Sequence, residues 1–201
     1  MTTQIIMHNE ISEKYRNEAA ELLFSALGDK LIPILDDTDK SKQFISSTFN
    51  TESCFTAIKD NNLLGILAFQ TLKSNLISPS YKDFTAIYGI IRGTIKAFKL
   101  SVLQHKSKPH ELYIEAIAVS QKARGQGIGT QLIESLFQYS QEENFKLITL
   151  EVINTNPMAQ KLYENLGFRV IKKSNIWPIN KFFGWPFNEV IFMERDVEEN
   201  H

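Results

Sequence analysis

Seven consecutive residues, Arg124, Gly125, Gln126, Gly127, Ile128, Gly129 and Thr130, have the make-up of an anion cradle. Glycines at alternate positions leave main-chain N–H groups uncovered by side chains, and a helix starting there turns the positive end of its dipole toward the loop. A diphosphate suits such a loop. Just upstream, Leu112 to Val119 reads as a largely buried strand into which one carboxylate, Glu115, is inserted. A carboxylate in such a strand is costly to desolvate and needs a reason beyond packing. Downstream, Asn156 to Phe168 has a helix cap at Asn156, a proline at the first helical position and Gly167 after the last, with Ala159, Leu162, Tyr163 and Leu166 on one face.

Two rival phosphate binders fail on spacing. A P-loop needs lysine followed by serine or threonine after its last glycine, whereas Thr130 follows Gly129 directly. A dinucleotide fingerprint needs GxGxxG directly after its strand. Here the pattern is GxGxG, and Ser120 to Arg124 separate it from Val119. For the loop taken alone, a glycine-rich helix start that binds nothing stays open as a reading.

The strand, the Arg-x-x-Gly-x-Gly loop, the helix, the next strand and the Asn, Ala, Tyr and Gly series together resemble the Gcn5-related N-acetyltransferase (GNAT) superfamily, most strongly from Glu111 to Phe168. The resemblance implies an α/β (α+β) fold, a mixed central sheet of about six to seven strands flanked by helices. One domain is expected over residues 1–201, with a CoA-binding core over 111–168. Acetyl-CoA would be the cosubstrate. Arg124 to Thr130 would grip its pyrophosphate, and Ile117, Ala118 and Val119 would supply the strand edge along which the pantetheine arm pairs. Asn156 would touch the CoA arm, a role compatible with capping its helix. Tyr163 matches the family's tyrosine acid beside the cofactor, and the N–H of Val119 would hold the oxyanion. The competing reading of Tyr163 is a core residue of its helix.

Acetyl transfer to an amine needs a deprotonated nucleophile, charge stabilisation at the carbonyl oxygen and a proton for the thiolate. Strand alternation puts Glu115 on the same face as Tyr113, Ile117 and Val119, with Glu111 two pleats away. Glu115 would accept the amine proton through water, with Glu111 as a more exposed backup. The alternative is that Glu115 partners a nearby lysine or arginine.

Around this core, Gln4 to Met7 reads as a strand, Tyr15 to Leu27 as a helix stopped by Gly28, and Lys30 to Leu35 as a stretch broken by Pro33. Asp39 to Phe49 reads as a short helix with Phe44, Ile45 and Thr48 inward. Cys54 to Lys59 and Leu63 to Leu72 form a hairpin around Asp60, Asn61 and Asn62. Ser74 to Pro109 reads as a long helical insertion in which Phe84, Ile87, Tyr88, Ile91, Ile95, Phe98 and Val102 recur at helical spacing. It either covers the sheet or forms a lid or homodimer surface. Phe168 to Lys173 and Glu189 to Glu194 complete the strands, and Glu198 to His201 is expected to fray.

The connection between the last two strands carries Trp177, Phe182, Phe183, Trp185 and Phe187, either caging an amine or plugging the sheet edge, with Lys173 or Lys181 available for an anionic group. The acceptor is a small-molecule or protein amine. A formal charge of −1, from 22 basic and 23 acidic residues, gives no global attraction to nucleic acid or anionic membrane. A single cysteine, Cys54, and the lack of a leader or of a long apolar run suit the cytoplasm. Histidines 8, 105, 110 and 201 lack metal-ligand spacing, so no metal is expected. An acyl-CoA sensor on the same fold, or a preference for longer acyl chains, stays open beside the enzyme.

Overall fold

The computed structural model describes residues 6–36 and 39–197. Gln4 and Ile5 of the expected first strand, and the expected frayed end, lie outside them. Strand β1 (Ile6–His8) is followed by helices α1 (Arg16–Ala26), α2 (Gly28–Leu35) and α3 (Asp39–Thr48). Gly28 does not stop α1 but opens α2, and Pro33 sits inside α2 rather than breaking it. The helix bond lost at proline is offset by burying Leu31, Ile34 and Leu35 on one face.

Strands β2 (Cys54–Lys59) and β3 (Asn62–Gln70) form the expected hairpin, one residue tighter than foreseen because Asn62 pairs with Lys59. Asp60 and Asn61 supply the turn at φ 50 and 61, which short polar side chains tolerate.

The insertion is two helices, α4 (Tyr81–Tyr88) and α5 (Ile90–Ser101), not one long helical stretch. Gly89 breaks it at φ 77 and ψ 168, a backbone state that strongly favours glycine. The helices then touch at Gly93, where a Cβ would lie 2.7 Å from the Phe84 carbonyl oxygen. Phe84 is buried as expected, but Ile91, Ile95 and Phe98 are 78%, 52% and 63% exposed. The periodic stripe of α5 therefore faces solvent. Its inward face is Gly93 and Lys96, whose ammonium donates to the Ile34 carbonyl and to Asp36, each at 2.8 Å. A close helix contact and a paired buried cation have overridden the apolar period.

Next come β4 (Glu111–Val119), α6 (Ile128–Glu142), β5 (Leu147–Ile153), α7 (Pro157–Asn165), β6 (Arg169–Asn175), the short α8 (Ile179–Phe183) and β7 (Glu189–Asp196). The seven strands form one mixed sheet in the order β1-β2-β3-β4-β5-β7-β6, with β4 and β5 its parallel pair. Helix α6 packs through Ile128, Leu132, Ile133 and Leu136 on one face, in a cluster that includes Leu112, Ile114 and Tyr163. On the other face, Ala19 and Leu23 of α1 cover Ile66, Ala68, Ala116 and Ala118. A third cluster joins α2 and α3 to Phe84, Phe183, Trp185 and Phe187. Among the described residues, no helix is long and apolar enough to cross a membrane.

Candidate active site

The parallel strands separate halfway along. β4 pairs with β5 only from Glu111 opposite Leu147 to Ile114 opposite Leu150. Beyond that point β4 stays with β3, while Glu151, Val152 and Ile153 of β5 pair with β7. A cleft opens between Glu115–Val119 and the end of β5.

Glu115 is the residue at which β4 bulges. Phe69 pairs with Ile114 and Ala68 with Ala116, which leaves Glu115 unmatched and shifts the alternation. Ile117 and Val119 consequently join Leu112 and Ile114 on the α6 face, whereas Ala116 and Ala118 lie on the α1 face. The expectation that Glu115 shares a face with Ile117 and Val119 is overturned, because strict alternation cannot see an extra residue. The bulge also settles which main-chain groups reach the cleft. Ser120 N–H donates to the Leu64 carbonyl at 2.8 Å, so Ala118 and Ala116, two and four residues back, direct their polar groups at β3. Those of Ile117 and Val119 point into the cleft. Ala118 is thereby removed from the expected binding edge.

At the cleft mouth, Gly125 and Gly127 adopt φ 76 and 75, and Gly127 precedes the first residue of α6 without any side-chain cap. The first helical bond runs from Gln131 N–H to the Gly127 carbonyl. Among the described residues, the N–H groups from Gly125 to Thr130 have no acceptor, and Arg124 stands exposed beside them. A Cβ on Gly129 would meet Leu162 at 3.6 Å and Val119 at 3.9 Å, which places this helix start against both α7 and the end of β4. The uncapped amides, the positive dipole end and Arg124 suit a diphosphate, so the residues fit a CoA moiety.

Helix α7 is punctuated as its sequence implies. Asn156 accepts from Ala159 N–H at 3.2 Å, and Gly167 takes φ 83. Gly167 N–H donates to the Glu164 carbonyl and Phe168 N–H to that of Tyr163, both at 3.0 Å, closing a Schellman end. The Phe168 ring meets Tyr163 edge-on at 5.9 Å. The helix end thus fixes Tyr163, whose burial pushes its hydroxyl pKa up to about 12.

On the opposite face, a cavity of about 430 Å³ is lined by Tyr113, Glu115 and Glu151 from the sheet, Lys30 from α2, His105, and Trp185 and Phe187. Loss of hydration pushes the Glu115 carboxyl up to about 7, against the lowering effect of a hydrogen bond from Leu76 N–H. Burial raises the Tyr113 hydroxyl well above its usual range, with further contributions from Glu151, Glu115 and Tyr163. Glu115 and Tyr163, from opposite faces of the sheet, are therefore both within electrostatic reach of Tyr113.

Glu111 is neither exposed nor available. It is 3% exposed and accepts from Thr149 Oγ1 and Lys108 N–H, each at 2.7 Å. Burial favours its protonated form, but these bonds and the nearby His105 outweigh that and hold its pKa low. Lys173 and Lys181 are exposed and outside the cavity lining. Among the five connection aromatics, Trp185 and Phe187 line the cavity, Phe183 is buried in the core, and Trp177 and Phe182 are 69% and 70% exposed. The five are thus divided between cavity wall, core and surface. Glu151 was missed, although a lone carboxylate in apolar Leu147–Ile153 carries the same signal as Glu115. Nothing at sequence level marks Lys30. Among the described residues, no group of three or more His, Cys, Asp or Glu side chains could hold a metal ion.

A model of the Acetyltransferase (GNAT) family matches residues 18–168. The chain belongs to the GNAT acetyltransferase family. It is similar to N-alpha-acetyltransferase 30 of Homo sapiens, at 42% identity over 64 residues, 32% of this chain and 18% of that protein. It is also similar to thialysine N-epsilon-acetyltransferase of Bos taurus, at 29% identity over 83 residues, 41% of this chain and 49% of that protein. The chain therefore spans less than half the length of either relative. Among solved structures, an N-acetyltransferase from Staphylococcus aureus Mu50 aligns with a TM-score of 0.67 at 18% identity, covering 94% of this chain and all of that one. A Bacillus subtilis acetyltransferase in complex with CoA aligns with a TM-score of 0.59 at 16% identity, covering 98% of this chain and all of the other. These two likenesses establish a shared GNAT fold.

Proposed function

We propose that this GNAT protein transfers the acetyl group of acetyl-CoA to a primary amine by direct attack in a ternary complex. The observation that carries this reading is one juxtaposition: the β4–β5 cleft meets the uncapped start of α6 at its mouth, and Glu115 and Tyr163 approach Tyr113 from opposite faces of the sheet.

An alkyl ammonium, with a pKa of about 10.4, must lose a proton before it can attack. Glu115, raised into the neutral range, takes that proton directly or through a water while remaining ionised in a useful fraction of molecules. The amine nitrogen bonds to the thioester carbon, and the carbonyl oxygen gathers negative charge within reach of the Val119 N–H. When the C–S bond breaks, Tyr163 donates its proton to the departing thiolate. A phenol near 12 is matched to this task only if the thiolate is also short of water. Burial has a comparable effect on a thiol in this same chain, lifting Cys54 to about 12.

The test is release of free thiol from acetyl-CoA across a panel of amines. Release that depends on the amine supports the enzyme. Tight acetyl-CoA binding with no amine-dependent release would instead make the protein an acyl-CoA-binding module. Running the same panel with longer thioesters reads the acyl chain preference.

A further inference from the structure

Lys30 stands apart from the other cation near the α2–α5 contact. Lys96 is buried and satisfied by Asp36 and a carbonyl oxygen. Lys30 lines the cavity, and among the described residues its ammonium has neither a hydrogen bond nor a carboxylate within 4.0 Å. Loss of hydration lowers its pKa, partly countered by the field of Glu151. An ammonium short of water and without a partner is unfavourable, and an anion delivered by a ligand removes that penalty.

The rest of the lining narrows what that ligand can be. The volume of about 430 Å³ suits a small molecule, and most of the wall is apolar, with Trp185, Phe187 and Phe192 among the aromatic side chains. Glu115 and Glu151 make the wall favourable for an ammonium and unfavourable for a second anionic group.

We infer that the acceptor is an amino carboxylate, an amine joined to one carboxylate through an apolar body, and that Lys30 binds this carboxylate while the amine lies toward Glu115. This rests on the acetyl-transfer reading above. Lys30 acts here as a specificity residue, touching the end of the acceptor remote from the reacting nitrogen. A guanidinium can replace its charge, whereas a methionine of similar length cannot.

Two measurements test it. In the first, kcat/KM at saturating acetyl-CoA is compared within matched pairs, phenylalanine against phenethylamine and 6-aminohexanoate against hexylamine. At least one carboxylate is expected to be favoured by tenfold or more in the native chain. Lys30→Met should bring that ratio to within threefold of unity through KM rather than kcat, and Lys30→Arg should restore most of it. A native chain indifferent to the carboxylate, or a preference that survives Lys30→Met, overturns the inference and leaves acetyl transfer standing. The second measurement does not need catalysis. Calorimetric binding of 3-phenylpropanoate should be at least tenfold tighter than that of 3-phenylpropanol, and Lys30→Met should abolish the difference. If no amine is acetylated, this binding difference alone decides whether the anion subsite exists, and equal or undetectable binding of both probes counts against it. Thermal melting of both variants confirms that they are folded.

Discussion

The carboxylate of Glu115 accepts a hydrogen bond from the backbone N–H of Leu76, so the bulged residue of β4 is held by the segment leading into α4 and α5. The insertion thus positions a candidate catalytic group as well as enclosing the cavity, to which Leu76, Ile77 and Leu100 contribute. A carboxylate fixed by one backbone donor and otherwise short of water keeps its proton to about pH 7.

The activity should follow that titration. With amine and acetyl-CoA below saturation, kcat/KM is expected to rise with pH on a limb centred near 7 as Glu115 ionises. Glu115→Gln should lower it on the order of 10²-fold and remove the limb. A variant that retains the limb would show that another group is the base.

The same residue should cost stability at neutral pH. The folded chain holds the Glu115 proton up to about 7, whereas the ordinary carboxyl releases it near 4.5. Between those values the native state binds more protons than the unfolded one, so stability falls as pH rises through the window and stays lower above it. Glu115→Gln should therefore exceed the native chain in stability at pH 8, by on the order of 3 kcal/mol, and match it at pH 4. Denaturant titrations at the two pH values check this. A uniform loss at both would mean that the glutamate is a structural partner.

Tyr163→Phe keeps the ring that meets Phe168 and removes the hydroxyl that would donate the proton. It should lower kcat on the order of 10²-fold while leaving the acetyl-CoA Kd within about threefold. Single-turnover thiol release and equilibrium binding separate the two effects. An unchanged kcat would return Tyr163 to the role of a core residue.

Helix α5 offers a test of packing. Gly93→Ala places a Cβ against the Phe84 and Thr85 backbone, at 2.7 to 3.0 Å, and should destabilise the fold by about 1–3 kcal/mol despite the better helix propensity of alanine. Ile95→Gln, on the solvent face, should change stability by about 0.5 kcal/mol or less. Chemical denaturation that reversed this order would mean that α5 is turned the other way.

The parts of the site fixed by local chain chemistry were legible in the sequence. Gly125 and Gly127 do what their lack of side chains permits, and Asn156, Pro157 and Gly167 bound α7 where expected. Glu115 was legible because a carboxylate in an apolar strand is expensive. Features decided by non-local pairing were not legible. The bulge depends on how β3 meets β4, so the orientation of Ile117 and Val119 could not follow from alternation along β4 alone. Glu111 is occupied because Thr149 reaches it from the neighbouring strand and Lys108 N–H from the preceding turn. The inverted face of α5 depends on Lys96 meeting Asp36 across 60 positions of sequence. Lys30 enters the cavity only because α2 folds against elements as distant as Trp185, whose indole N–H donates to the Lys30 carbonyl at 3.1 Å.

A crystal structure with acetyl-CoA bound tests the central claim most directly. The diphosphate oxygens should lie within hydrogen-bond distance of the N–H groups between Gly125 and Thr130, with the arm running along Val119 and Ile117 and the thioester between Glu115 and Tyr163. A nucleotide bound away from the start of α6, or a sulfur remote from both side chains, would contradict it.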